Sequence, residues 1–121
     1  MLELGLIALG GALGAASRLW VAGVVQRLSG GMFPLGTLAV NVTGAGLLGA
    51  LAGAGGALDA GAWAFFAIGV LGSYTTVSAF SLETLHLVQA RRAGLATLNI
   101  AASFTLTLLA AAGGYVLMIA S

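Results

Sequence analysis

Side chains that could bind or conduct a small ion are concentrated in a few stretches of an otherwise apolar chain. The densest is the run Gly-Ser-Tyr-Thr-Thr at 72–76. Hydroxyl side chains at this density lower helix propensity and offer the backbone competing hydrogen bonds, so we predict a helix break near 72–76. At membrane depth a break is tolerated only where it is buried in protein or lines a water-filled cavity. The run is therefore a candidate site, although its hydroxyls could instead only stabilise helix packing.

Two further groups of polar side chains lie within predicted helices. Asn41 is alone in an apolar segment, while Asn99, Ser103 and Thr107 are spaced by four residues and share one helical face. An interhelical hydrogen bond is the simpler interpretation of Asn41 alone. The aligned track on the last helix favours a pathway for an ion or solute, because Asn41 and the break are available to face it.

Two residue pairs follow the break at helical spacing. Val77 and Phe80 lie on one stripe, and Glu83 and His86 are neighbours near the end of the same helix, where they could share a proton or a hydrogen bond. A zinc site is not expected there, because no third or fourth ligand lies within reach of the pattern.

Composition indicates a membrane domain that must position these groups. The chain has 121 residues, of which 60% are hydrophobic and 6% charged, and it contains 20 glycines. Its charge-free runs exceed the roughly 20 residues that a spanning helix needs. We predict a single all-α integral membrane domain over 1–121, with four transmembrane helices at about 4–26, 34–57, 61–90 and 93–119. The third is too long for one straight span, which agrees with a break inside it.

Small residues predict how closely the helices pack. Gly10 and Gly14 form a small-xxx-small pair in the first helix, and Ala45, Gly49 and Gly53 form a smooth stripe in the second.

Arg18, in the first helix, is expected either to extend toward the nearer membrane interface or to face a polar interior, because a guanidinium facing lipid is costly.

Several function classes are disfavoured. Cysteine is absent, which excludes disulfides and thiolate sites. One histidine and three scattered carboxylates, at 3, 59 and 83, supply no nucleophile with an adjacent base, so we expect no enzyme. The net charge of +1 points to no nucleic-acid partner. Amide and hydroxyl donors with aromatic edges, and without an acidic ring, favour an anion or a neutral solute over a cation.

Three motifs in order resemble the Fluc (CrcB) family of small dimeric fluoride channels. They are Gly-Gly-Ala-Leu-Gly-Ala-Ala-Ser-Arg at 10–18, Pro-Leu-Gly-Thr-Leu-Ala-Val-Asn-Val-Thr-Gly at 34–44, and Gly-Ser-Tyr-Thr-Thr-Val-Ser-Ala-Phe-Ser-Leu-Glu at 72–83. The resemblance covers nearly the whole chain. It implies an antiparallel dimer in the lipid of a prokaryotic plasma membrane, with two narrow pores that export fluoride passively and lower cytoplasmic fluoride.

The resemblance also implies roles for individual residues. It assigns the fluoride path to Asn41, Phe80, Ser103 and Thr107. A structural sodium ion at the dimer centre would be held by the backbone carbonyls of Gly72 and Thr75. Arg18 matches the arginine of the family's first helix, and Glu83 ends the third motif.

The chain departs from the family pattern in two respects. Val77 stands where the family has one of two pore phenylalanines, and Tyr74 stands where another Phe is usual. The loops at 27 and at 91–92 carry three arginines, which favours a single membrane orientation. A homodimer with dual topology is the first expectation, and a heterodimer with a related chain of reversed charge bias is the alternative.

Two rival functions remain open from sequence. A small four-helix multidrug exporter would need a membrane-embedded carboxylate in the first helix, where only Glu3 is present, at the edge. A non-conducting accessory membrane subunit is the second rival.

Overall fold

Four membrane-length helical spans form the chain. The computed structural model describes residues 2–120 and contains no strand within them. The spans are α1 (Leu2–Ser29), α2 (Leu35–Gly53), a broken third span (Ala60–Gln89) and α6 (Ala93–Ala120), and each is long and apolar enough to cross a membrane. The all-helical fold class and the break in the third span are therefore confirmed.

The third span has two halves. The first half-helix comprises α3 (Ala60–Trp63), a π-helical segment (Ala64–Leu71) and α4 (Gly72–Tyr74), which follow one another without interruption. The second is α5 (Val77–Gln89). Wide π turns inside α-helices are frequent at functional sites, so this one draws attention to the residues that follow it.

Glycines in the left-handed conformation end the first two helices. Gly30 has φ +68° and follows α1, which continues to Ser29 and so exceeds its predicted end near 26. Gly55 has φ +61° and begins a 3₁₀ turn, so α2 ends at Gly53, earlier than the predicted 57. Glycine pays no Cβ penalty in this region of φ, which makes it the usual residue after a helix.

Backbone contact joins α1 to the first half-helix. A Cβ added to Gly10 would lie 2.5 Å from the Phe65 carbonyl oxygen, and one added to Gly14 would lie 2.1 Å from that of Val70. The predicted close approach at this glycine pair is therefore confirmed. The contacting residue numbers rise together in the two helices, so α1 and the first half-helix run in the same direction.

A similar contact joins α2 to α6. A Cβ at Gly49 would lie 2.1 Å from the Ala111 carbonyl oxygen, and one at Gly53 would lie 2.7 Å from that of Tyr115. The third member of the predicted stripe, Ala45, lines a cavity instead.

Candidate functional site

The helix break is confined to two residues. Thr75 has φ −79° and ψ 154°, and Thr76 has φ −149° and ψ 121°, both extended. The backbone N–H of Thr75 still donates to the Leu71 carbonyl over 3.2 Å, and the Thr75 hydroxyl donates to the same oxygen over 3.1 Å. Gly72 is helical, so the break occupies only the end of the predicted 72–76 stretch.

The Asn41 side chain satisfies the peptide groups that the break exposes. Its Nδ2 donates to the Thr76 carbonyl over 2.9 Å, and its Oδ1 accepts from the Thr76 N–H over 2.8 Å. In a continuous helix that N–H would donate to Gly72. Unpaired peptide groups away from water cost several kcal/mol each, so this pair of bonds stabilises the extended conformation. Asn41 therefore makes the interhelical bond considered from sequence, with one amide proton to spare.

Thr76 caps the second half-helix. Its Oγ1 accepts from the Ala79 N–H over 3.2 Å, and within residues 2–120 its own proton is donated to no acceptor. The N–H groups of the first turn of α5, at Val77 and Ser78, have no intrahelical acceptor, so this end of the helix carries positive potential.

The first half-helix presents the opposite polarity. Its last carbonyls, which include that of Gly72, have no intrahelical N–H partner because the helix ends at Tyr74, and the carbonyl of Thr75 follows them in the break. The C-terminal end of a helix is partly negative and favours a cation. Residues 2–120 contain no group of three or more His, Asp or Glu side chains that could hold a metal ion.

One cavity of about 330 Å³ brings the predicted pathway residues together. Those residues are Asn41, Val77, Phe80, Ser103 and Thr107. Five further residues complete the lining, namely Ala45, Leu48, Thr75, Thr76 and Phe104. We call this space the break cavity. Four separate parts of the chain, α2, the break, α5 and α6, contribute to its wall.

The polar track of α6 divides between two tasks. Asn99 is only 1% exposed and is not part of the cavity wall. Its Nδ2 donates to the Thr84 hydroxyl over 2.8 Å, and Thr84 donates to the Phe80 carbonyl over 2.8 Å. Asn99 therefore joins α6 to α5, and only Ser103 and Thr107 of the three track residues reach the cavity.

Glu83 has a partner other than the one considered from sequence. Its carboxylate accepts a hydrogen bond from the buried Thr37 hydroxyl of α2. No bond joins it to His86 within the described residues. Both side chains nevertheless border a second cavity of about 460 Å³, together with Gln26. Gln26 also organises the first loop, because its amide bonds to the backbone of 31, 33 and 36.

Arg18 is held partly inside the helix bundle. Its Nε is buried and has no hydrogen-bond partner in the part of the chain that the structure describes. Gly14 contacts Val70, and α1 runs parallel to the first half-helix, so Arg18 lies one turn further, toward the level of the break. Its burial means that the Nε is shielded from lipid by the helix bundle.

Sequence reasoning missed two participants in this region. Phe104 follows Ser103 and lines the cavity, and a signal was present because it precedes the track residue Thr107 by three positions. Tyr74 was noted only as a departure, but its hydroxyl lies 3.1 Å from that of Thr43 on α2. Thr43 donates to the Ala39 carbonyl over 2.7 Å, so Tyr74 is the donor in that pair.

Comparison with known proteins gives a consistent result. The profile of a family described as CrcB-like protein, Camphor Resistance (CrcB), matches residues 5–115. A protein named fluoride-specific ion channel FluC from Methylocella silvestris is 44% identical over 94% of this chain and 91% of its own length. Proteins of the same name from Paramagnetospirillum magneticum and Photobacterium profundum are 40% and 42% identical, over 96% and 98% of this chain and 94% and 95% of their own lengths.

Proposed function

The chain belongs to the CrcB-like family, and we propose that it is a channel through which fluoride leaves the cytoplasm passively. It is a multi-pass membrane protein with four spanning helices. The observation that carries the proposal is the break cavity, because one space is lined by Asn41, Phe80, Ser103 and Thr107. The process is conduction down a gradient, with no bond made or broken.

The wall chemistry suits a small anion. A fluoride ion that leaves water needs replacement hydrogen-bond donors, since an unpaired charge in a medium of low dielectric is very costly. The spare amide proton of Asn41 and the free hydroxyl proton of Thr76 are such donors. The first turn of α5 adds positive potential beside them. Among residues 2–120, no Asp or Glu side chain lines this cavity, so none of them places a negative charge beside the anion there.

A structural sodium ion is the second part of the proposal. Carbonyl oxygens are hard ligands that suit an alkali cation, and the negative end of the first half-helix concentrates them at Gly72 and Thr75. When bound, the ion would neutralise that end and tie the break to its surroundings. The proposed ligands are backbone oxygens, so a side-chain substitution at Thr75 would leave its coordinating carbonyl oxygen in place.

An antiparallel homodimer is the proposed assembly, and a heterodimer with a related chain is its alternative. Support comes from the break cavity, which lies at the surface of a single chain and has wall residues that are themselves exposed, such as Val77 at 77% and Phe104 at 63%. A second subunit against this face would separate the path from lipid. Three arginines oppose dual insertion of one chain, namely Arg27 in the last turn of α1 and Arg91 and Arg92 between α5 and α6. The heterodimer is therefore included in the test below.

Flux measurement tests the function directly. The purified chain is reconstituted in liposomes loaded with potassium fluoride, and efflux is followed with a fluoride electrode after valinomycin is added. Fluoride release without an imposed proton gradient is the expected result. Proton flux driven by a cationic drug would instead support an exporter, and no flux of either kind from folded protein would support an accessory subunit.

Assembly is tested by labelling in cells, followed by the same efflux measurement. Single cysteines replace Ser29 and Asp59, which lie at opposite ends of the spans, and intact cells are labelled from outside. Labelling at both positions, with efflux from the chain expressed alone, supports the homodimer. Labelling at Asp59 only, with no efflux, supports the heterodimer.

A further inference from the structure

We propose that Phe104 lines the fluoride path in the break cavity. The edge of its ring faces the anion, as does the edge of the Phe80 ring. The inference rests on the proposed function and adds a residue to it. Its basis is the position of Phe104 in the cavity wall and a count of the hydrogen-bond donors that the wall has available.

Most hydroxyl protons in the cavity wall are already used within the chain. Thr107 donates to the Ser103 carbonyl, and Thr75 donates to the Leu71 carbonyl over 3.1 Å. The Ser103 hydroxyl is directed to the Asn99 amide oxygen over 3.4 Å, a long contact that an anion could compete for. The two spare protons, on Asn41 and Thr76, both belong to the pair that closes the break.

An anion that moves away from the break therefore meets few free donors. The remaining source of positive potential is the rim of an aromatic ring, because the ring quadrupole is negative on its faces and positive at its edge. Phe80 on α5 and Phe104 on α6 are the two aromatic residues of this wall. Val77, which precedes Phe80 by one turn of α5, has no ring, so Phe104 supplies the second edge.

The exposure of Phe104 agrees with this role. Its side chain is 63% exposed in the single chain, so it is not required to fill the chain's own core. Replacement by Leu removes the ring and keeps an apolar residue whose helix preference is somewhat higher than that of Phe. The substitution should therefore change conduction without a matching loss of stability.

Fluoride efflux from liposomes tests the assignment with a matched control. Phe104→Leu should reduce the initial rate about tenfold, as expected when a ring-edge interaction of about 1.4 kcal/mol is lost at the barrier. Phe104→Tyr, which keeps the edge, should retain most of the rate. Phe66→Leu makes the same change at an exposed ring outside the cavity and should leave the rate unchanged. Elution volume and thermal midpoint in detergent verify that each variant is folded.

A rescue experiment separates the ring from its helix. Val77→Phe added to Phe104→Leu returns an aromatic edge to the same wall from α5, and it should recover part of the lost rate. Equal rates for wild type and Phe104→Leu, or an equal fall in Phe66→Leu, would overturn the assignment while leaving the channel function intact. Absence of efflux from folded wild-type protein that is labelled at both the Ser29 and the Asp59 positions would reject the channel itself, and this inference with it.

Discussion

The two sides of the third span are held to their neighbours in different ways. The first half-helix contacts α1 through backbone, because Gly10 and Gly14 leave no side chain between them. The side that faces α2 and α6 is joined through polar side chains instead, at Asn41 with Thr76 and at Asn99 with Thr84. Backbone contact leaves no space, whereas side chains that reach across keep the helices apart and the break cavity open between them. An ion path therefore belongs to the second side.

The largest effect is expected from a charge on the polar side. Asn41→Asp removes the Nδ2 that donates to the Thr76 carbonyl and places a carboxylate both against that oxygen and beside the cavity. Repulsion of the anion and weakening of the break act together, so we expect fluoride efflux to fall about a hundredfold, equivalent to about 2.7 kcal/mol at the barrier. Efflux from liposomes measures it.

A neutral variant sharpens that result. Asn41→Ala loses both hydrogen bonds to Thr76, whereas Asn41→Asp loses only the one that Nδ2 donates, and Asn41→Ala adds no charge. If Asn41→Ala were as slow as Asn41→Asp, support of the break would be the cause and not the charge beside the path. Unchanged efflux from a folded Asn41→Asp protein would remove Asn41 from the pathway altogether.

A substitution in the backbone contact between α1 and the first half-helix should lower the stability of the protein. In Gly14→Ala the new Cβ would lie 2.1 Å from the Val70 carbonyl oxygen, so the helices must separate. We expect a loss of about 2 kcal/mol in the free energy of unfolding. Thermal unfolding in detergent measures it. Gly5→Ala, in the same helix and with nothing within 4 Å of the new Cβ, is the control and should be neutral or slightly stabilising. Equal thermal midpoints for the two variants would contradict the close contact between Gly14 and Val70.

A buried bond on the polar side has a smaller expected effect. Thr84→Val keeps the shape of the side chain but leaves the Nδ2 of the 1%-exposed Asn99 without its acceptor. We expect a loss of about 1.5 kcal/mol in stability. Thr97→Val on α6, whose hydroxyl bonds only to the Ala93 carbonyl, is the control. If the thermal midpoint of Thr84→Val matched that of the control, the packing of α5 against α6 would not depend on this bond for its stability.

The smallest effect is expected at Tyr74. Tyr74→Phe deletes the hydroxyl that bonds to Thr43 and leaves the ring in place. Because the bond is exposed, we expect a loss of about 0.5 kcal/mol in the free energy of unfolding. Tyr115→Phe is the control, since the Tyr115 hydroxyl makes no hydrogen bond within residues 2–120. A double mutant with Thr43→Val should lose less stability than the sum of the two single losses, and additive losses would argue against the pair.

Features that depend on neighbouring residues along the chain could be predicted. Hydropathy and helix propensity are local properties, so the four spans and a break inside the third follow from runs of apolar residues and from the hydroxyls of 72–76. The close approach at Gly10 and Gly14 was also predictable, because small residues spaced by four leave one face of a helix without side chains.

The polar residues show where local reasoning ends. Asn99, Ser103 and Thr107 share a helical face by spacing alone, and this is all that the amino-acid sequence determined about them. Only the tertiary structure decided that Asn99 bonds to α5 while the other two line the cavity. It also decided that Asn41 lies opposite the Thr76 peptide groups and that Phe104 reaches the cavity. The physical reason is that a hydrogen bond or a cavity wall needs two elements at a set distance, and residues far apart in the chain meet only through helix packing.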